Sequence, residues 1–128
     1  MLDQATTFGG ISVDDLDAAR RFYGETLGLR IHEGMGGLDV ELPGDTHLWV
    51  YPKADHRPAT FTVLNFAVRD IDAAVDELTT AGVTMTVYEG MHQDERGIAR
   101  GRAVHRGPDI AWFTDPAGNI MSVLQQGD

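Results

Sequence analysis

The chain has 128 residues, with 20 acidic against 10 basic side chains, a formal charge of −10, 42% hydrophobic residues and 23% charged ones. These proportions suit one compact domain and exclude wholesale disorder, while the negative field argues against nucleic acid or an anionic membrane surface as a partner. There is no cysteine, which removes disulfides, thiolate metal sites and cysteine nucleophiles.

The first residues, MLDQATT, have neither the basic nor the apolar stretch of a secretion signal. No apolar run approaches the roughly 20 residues of a membrane helix, so a cytoplasmic protein is the expectation. A first strand is predicted over residues 7–13. A helix follows, with Asp14 or Asp15 placed to cap its first amides and with Leu16, Ala19, Tyr23 and Leu27 recurring on one face before Gly28 stops it. Three more strands are predicted at 29–33, 38–42 and 47–51, separated by Gly34, Gly36 and Gly37 and by Pro43-Gly44-Asp45, which are turn formers. Residues 52–60 (PKADHRPAT) read as a linker. Beyond them the same order returns: a strand over 61–68, a helix capped by Asp70 with Ile71, Ala74, Leu78 and Ala81 on one face, a stop at Gly82, and strands at 83–89, 110–114 and 120–125. The last two are joined by the turn sequence Asp115-Pro-Ala-Gly-Asn119.

That return is an internal repeat. At a constant offset of 55 residues, Val13 matches Val68, Asp15 matches Asp70, Asp17 matches Asp72, and Ala18-Ala19 match Ala73-Ala74. Two copies are too few for a solenoid. They read as two related βαβββ modules, about 1–52 and about 61–128, within a single domain.

The segments DDLDAARRFYGETLGL, RDIDAAVDELTTAGV and AWFTDPAGNIMSVLQ, in that order, resemble the vicinal oxygen chelate superfamily of glyoxalase I, extradiol dioxygenases, fosfomycin-resistance enzymes and bleomycin-resistance proteins. The resemblance implies an α+β fold in which two βαβββ modules curl their sheets around a shared cavity, with a helix outside each sheet. Strand alternation then sends Phe8, Gly10 and Ser12 to the cavity side of the first strand and Trp49 and Tyr51, with His47, to that side of the fourth. In the second module it sends Val63, Asn65 and Ala67, then Ile110 and Trp112, then Ser122 and Leu124.

The resemblance also implies a divalent metal held by His, Gln or Glu at matched strand positions. Here those positions carry Phe8, Val63, Trp49 (or Leu48 in the other register) and Ser122. Phenylalanine, valine and tryptophan have no metal donor, and a neutral serine is a poor one. The expectation is therefore a protein without the family's metal. It would bind a small organic molecule in an aromatic cleft formed by Phe8, Trp49, Tyr51, Asn65, Trp112 and Ser122, as bleomycin-resistance proteins do, and as a homodimer. The alternative is a metal-dependent lyase, isomerase or dioxygenase with displaced ligands drawn from His32, His47, His56, His92, His105, Asp39, Glu41 and Glu89. Asp39 and Glu41 share a strand face, which His47 joins if the register shifts by one. A third reading is metal-independent catalysis by Glu41, His47 or Tyr51. Residues 89–106 (EGMHQDERGIARGRAVHR) form a long connection in which Arg96 and Arg102 either clamp an anionic group of a ligand or are paired with neighbouring acids.

Overall fold

A computed structural model describes residues 1–127. It falls into two compact units, Met1–Pro58 and the chain from Ala59 onward. Among the described residues no helix is long and apolar enough to cross a membrane.

The first unit holds strands β1 (Gly9–Val13), β2 (Ile31–Gly34), β3 (Gly37–Leu42) and β4 (Thr46–Pro52) in the order β1-β4-β3-β2. Strand β1 runs parallel to β4, and the remaining pairs are antiparallel. Alternation divides the sheet cleanly. Ile11, Val13, Leu38, Val40, Leu48 and Val50 are buried on one face, with Ala19, Phe22 and Tyr23 of the helical segment buried as well. Each large apolar side chain so buried contributes about 1.5–3 kcal/mol. The helix is regular only over Leu16–Arg20 (α1); Arg21–Thr26 continue as a wider π turn. Phe22 and Tyr23 are both buried, with their rings edge to face at 5.2 Å. Of the two capping candidates the structure selects Asp15, whose carboxylate accepts from the Ala18 N–H at 3.1 Å. Arg20 then reaches from α1 to Glu33 on β2 through a two-pronged ion pair of 2.7 and 2.8 Å.

The second unit repeats the topology: β5 (Thr62–Ala67), β6 (Ala99–Arg100), β7 (Asp109–Thr114) and β8 (Ile120–Gln125) in the order β5-β8-β7-β6, again with the outer pair β5–β8 parallel. Helix α2 (Ile71–Thr80) packs on β7 and β8. Its cap reproduces the first one almost atom for atom. Asp70 has φ −139° and ψ 101° against −137° and 103° for Asp15, and accepts from Ala73 N–H at the same 3.1 Å. Gly28 and Gly82, each past its helix, have φ of +71° and +96°, as a glycine stop requires.

Two predictions fail here. The strand expected over 83–89 is reduced to one bridge, in which the Thr86 N–H donates to the Trp112 carbonyl at 2.8 Å. The backbone groups that would have continued it are taken by a side chain: Gln93 Oε1 accepts from Tyr88 N–H at 2.7 Å and its Nε2 donates to the Thr86 carbonyl at 2.8 Å. The edge position beside β7 passes instead to β6, a two-residue strand inside the expected loop. The second strand of the first unit also starts later than predicted, at Ile31, because Leu29 N–H still closes onto the Tyr23 carbonyl of the π turn.

Candidate functional site

The face of the first sheet turned away from its buried side gathers most of the chemistry the sequence offers. Gly10, Ser12, His32, Asp39, Glu41, His47, Trp49 and Tyr51 share it by strand parity. The register sets Asp39 opposite Trp49 and Glu41 opposite His47, so His47 joins the acids without the shift that the sequence suggested. The side chains pair diagonally. His47 Nδ1 lies 2.8 Å from Asp39 Oδ1, and His32 Nε2 pairs with Glu41 Oε2. The His32 hydrogen bond holds the Glu41 carboxyl below the usual carboxylate range, helped by the charge of Arg30.

Beside these pairs Phe8, Asp39, His47 and Trp49 line a cleft of about 370 Å³. Phe8 is 68% exposed, an unusual position for an aromatic ring. Trp49 is half-buried, and its indole lies across Gly37: a Cβ on Gly37 would come within 2.8 Å of the ring and 2.7 Å of the Val50 carbonyl. Gly37 therefore determines where the ring sits. The sequence marked it only as a turn residue, and no local signal shows the crossing indole. Tyr51 continues the same face, and Ser12 Oγ is 2.6 Å from His56 Nδ1.

The candidates from the second module lie in a different setting. Trp112 is 8% exposed, its indole N–H donates to Thr62 Oγ1 at 3.1 Å, and Tyr88 meets it edge to face at 5.6 Å. Ser122 is fully buried and donates to Asn65 Oδ1 at 2.5 Å. The donors of Trp112 and Ser122 are thus already used inside their own sheet.

The long connection is held by ion pairs. Arg96 grips helix α2 through Asp72 Oδ1 at 2.6 Å, the Asp72 carbonyl at 3.0 Å and Asp76. Arg100 reaches Asp72 at 2.8 Å and Asp94 at 3.2 Å, and its bond is the main reason the Asp72 carboxyl sits below the ordinary range. Burial opposes the charge of Asp94, yet the amides of Ile98 and Arg96 and the Arg100 guanidinium still hold its carboxyl low. Arg102 approaches the buried Asp109 at 3.5 Å, while its Nε is buried with no hydrogen-bond partner. The organiser here is Gln93, whose Nε2 also donates to the Gly97 carbonyl at 2.7 Å; its sequence neighbourhood gave no sign of that role.

The positions where the resemblance implies metal ligands do not fit a metal. Phe8, Val63 and Trp49 bring no donor, and Ser122 Oγ is engaged with Asn65. Among the described residues no three His, Asp or Glu side chains come together in a group that could hold an ion. His92 and His105 are both exposed.

Comparison with known proteins places this geometry. A glyoxalase family protein from Bacillus anthracis shares 19% of residues over 99% of this chain and 100% of its own, with a TM-score of 0.69. TnmS3, an antibiotic binding protein from a Streptomyces species, shares 24% over 97% and 98%, with a TM-score of 0.66. The fosfomycin resistance protein FosX from Listeria monocytogenes shares 12% over 98% and 94%, with a TM-score of 0.68. At these identities the likeness is one of fold. No curated protein matches the chain. The family model for the Glyoxalase/Bleomycin resistance protein/Dioxygenase superfamily, however, matches residues 2–123, and with the repeated βαβββ topology this makes the chain a member of that superfamily.

Proposed function

We propose that this protein binds a small planar organic molecule in the cleft of its first unit, without the metal of its enzymatic relatives. The observation that carries the reading is the exposed Phe8 ring beside the half-buried Trp49, with Asp39 and His47 as the polar groups of the same cleft. Two aromatic walls and a few placed polar groups are the usual composition of a small-molecule site. The carboxylate and the overall charge of −10 favour a ligand that is positively charged. The fold likeness to an antibiotic binding protein supports the same reading. Tyr51 extends the aromatic wall along β4; Asn65, Trp112 and Ser122 support the second sheet, and Arg96 and Arg102 secure the loop around it. Assembly as a homodimer in the cytoplasm belongs to the proposal, and the dimer is checked by sedimentation.

The test is calorimetric titration of the full chain with planar aromatic compounds, neutral and cationic. Binding that is lost in Phe8→Ala and in Trp49→Leu, with the unfolding temperature little changed, supports the reading. Silence across the panel, or binding indifferent to both substitutions, overturns it. Metal-dependent catalysis by displaced ligands predicts instead a stoichiometric transition metal in the purified protein and turnover of a hemithioacetal or catechol.

A further inference from the structure

We infer that the Phe8–Trp49 cleft holds a planar organic cation at neutral pH and releases it as His47 and His32 take up protons. The inference rests on the binding reading above and adds to it the means of the ligand's release.

Two diagonal pairs set the charge of this face. Each couples an imidazole to a carboxylate on the same sheet face: His47 Nδ1 to Asp39 Oδ1 at 2.8 Å, and His32 Nε2 to Glu41 Oε2. Above the imidazole range both histidines are neutral. Each then donates one N–H to its carboxylate, and the four side chains together carry two negative charges. Asp39 and His47 line the cleft itself, so a cation over the Trp49 or Phe8 ring sits beside a carboxylate whose charge is not cancelled. Below the range each imidazolium neutralises its partner, and the same four side chains sum to zero without any of them moving. The cation loses its attraction while the aromatic walls stay in place.

The other charged and titratable groups of this face do not reverse the sign. Arg30, which acts on Glu41, stays charged throughout. Tyr51 on β4 adds a phenol to the same face. His56 pairs with Ser12 of β1 and does not line the cleft. The low-lying Glu41 carboxyl keeps its charge across the whole interval in which the histidines change theirs. Linkage makes the effect reciprocal: a bound cation opposes proton uptake, so the His47 midpoint falls when the site is filled.

The experiment titrates the full chain with N-methylquinolinium and with quinoline, which share a ring system and differ in fixed charge. From about pH 8 to about pH 6 the cation's affinity is expected to fall roughly fivefold or more, and that of the neutral ring by less than about twofold. His32→Gln with His47→Gln should flatten the cation's pH profile, whatever its affinity at about pH 8; His56→Gln, which does not line the cleft, should leave the slope in place. The His47 ring protons, followed by NMR in the unsubstituted protein, should titrate at lower pH with the cation bound. If quinoline binds and the cation shows neither preference nor slope, the inference falls and the binding reading stands. If neither compound binds, both fall. A slope that survives the double substitution, or a His47 midpoint indifferent to the cation, also overturns the release mechanism.

Discussion

The two units share a topology and a helix cap yet use the exposed side of the sheet in opposite ways. In the first, β3 from Leu38 and β4 from Leu48 alternate: Leu38, Val40, Leu48 and Val50 are buried, while the residues between them face away with ionisable and aromatic groups. In the second, β7 and β8 carry buried residues on both faces, so that Trp112 and Ser122 are as enclosed as Ala111 and Met121 on the helix side. A repeat conserves what makes it fold, namely the cap, the helix face and the parallel outer pair. The other face is left open in one copy and is packed interior in the other.

The largest expected effect tests that contrast with the two tryptophans. Trp112→Ala removes a buried ring, its edge contact with Tyr88 and its bond to Thr62, and should cost about 3–5 kcal/mol in a urea unfolding curve. Trp49→Ala, at a half-buried position, should cost less than about half as much. Equal losses would mean that both sheets are packed alike and that no free aromatic wall exists in the first.

A smaller effect separates two neighbouring glycines. Gly37→Ala places a methyl group against the Trp49 ring and the Val50 carbonyl, a collision that overpacking precedents set at about 1–3 kcal/mol. Gly34→Ala, opposite it on β2, meets nothing within 4 Å, and it should change stability by less than about 0.5 kcal/mol. Near-UV circular dichroism should change for the first substitution and not the second, since only Gly37 touches an indole.

The caps provide the reverse test, where the units should agree. Asp15→Ala and Asp70→Ala each remove one acceptor at the same distance and backbone geometry, so each should cost about 1 kcal/mol. The double substitution should cost their sum, because the two caps share no partner. Unequal losses would show that the second helix draws on something the first lacks; the Gln125 side chain, which accepts from Ile71 N–H at 3.0 Å, is the visible candidate.

What was legible in the sequence is what depends on local pattern. Asp70, Gly28 and Gly82 announce helix ends through their own backbone requirements, and the alternation of Leu48, Trp49, Val50 and Tyr51 sorts a strand into faces without knowledge of its neighbours. What escaped depends on residues far apart in the chain. The strand expected over 83–89 fails because one glutamine competes for its backbone. The diagonal His–carboxylate pairs need the β3–β4 and β2–β3 registers, and the role of Gly37 needs the direction of an indole 12 residues away. For Arg96 a ligand clamp and a pairing with neighbouring acids read alike until helix α2 is seen to bring Asp72 and Asp76 beneath it. The fold was therefore readable almost throughout, and the site only as a set of residue types.

The smallest effect concerns Glu41, whose carboxyl is held low first by the His32 hydrogen bond and then by the charges of Arg30 and the two histidines. The sign follows from linkage. A carboxyl with a folded-state pKa below its unfolded value contributes stability that is present above the unfolded value and is lost as pH falls through the folded one. His32→Gln replaces the imidazole with a neutral amide, so the Glu41 midpoint, followed by side-chain carboxyl NMR, should move up towards that of an ordinary glutamate. The acid limb of the stability profile should shift in the same direction. Because the pair is exposed, the change at neutral pH should be small. If Glu41 stays where it was, the His32 pair is too weak to govern the charge of this face, and the contrast between an ionisable first sheet and a closed second one narrows to Asp39 and His47 alone.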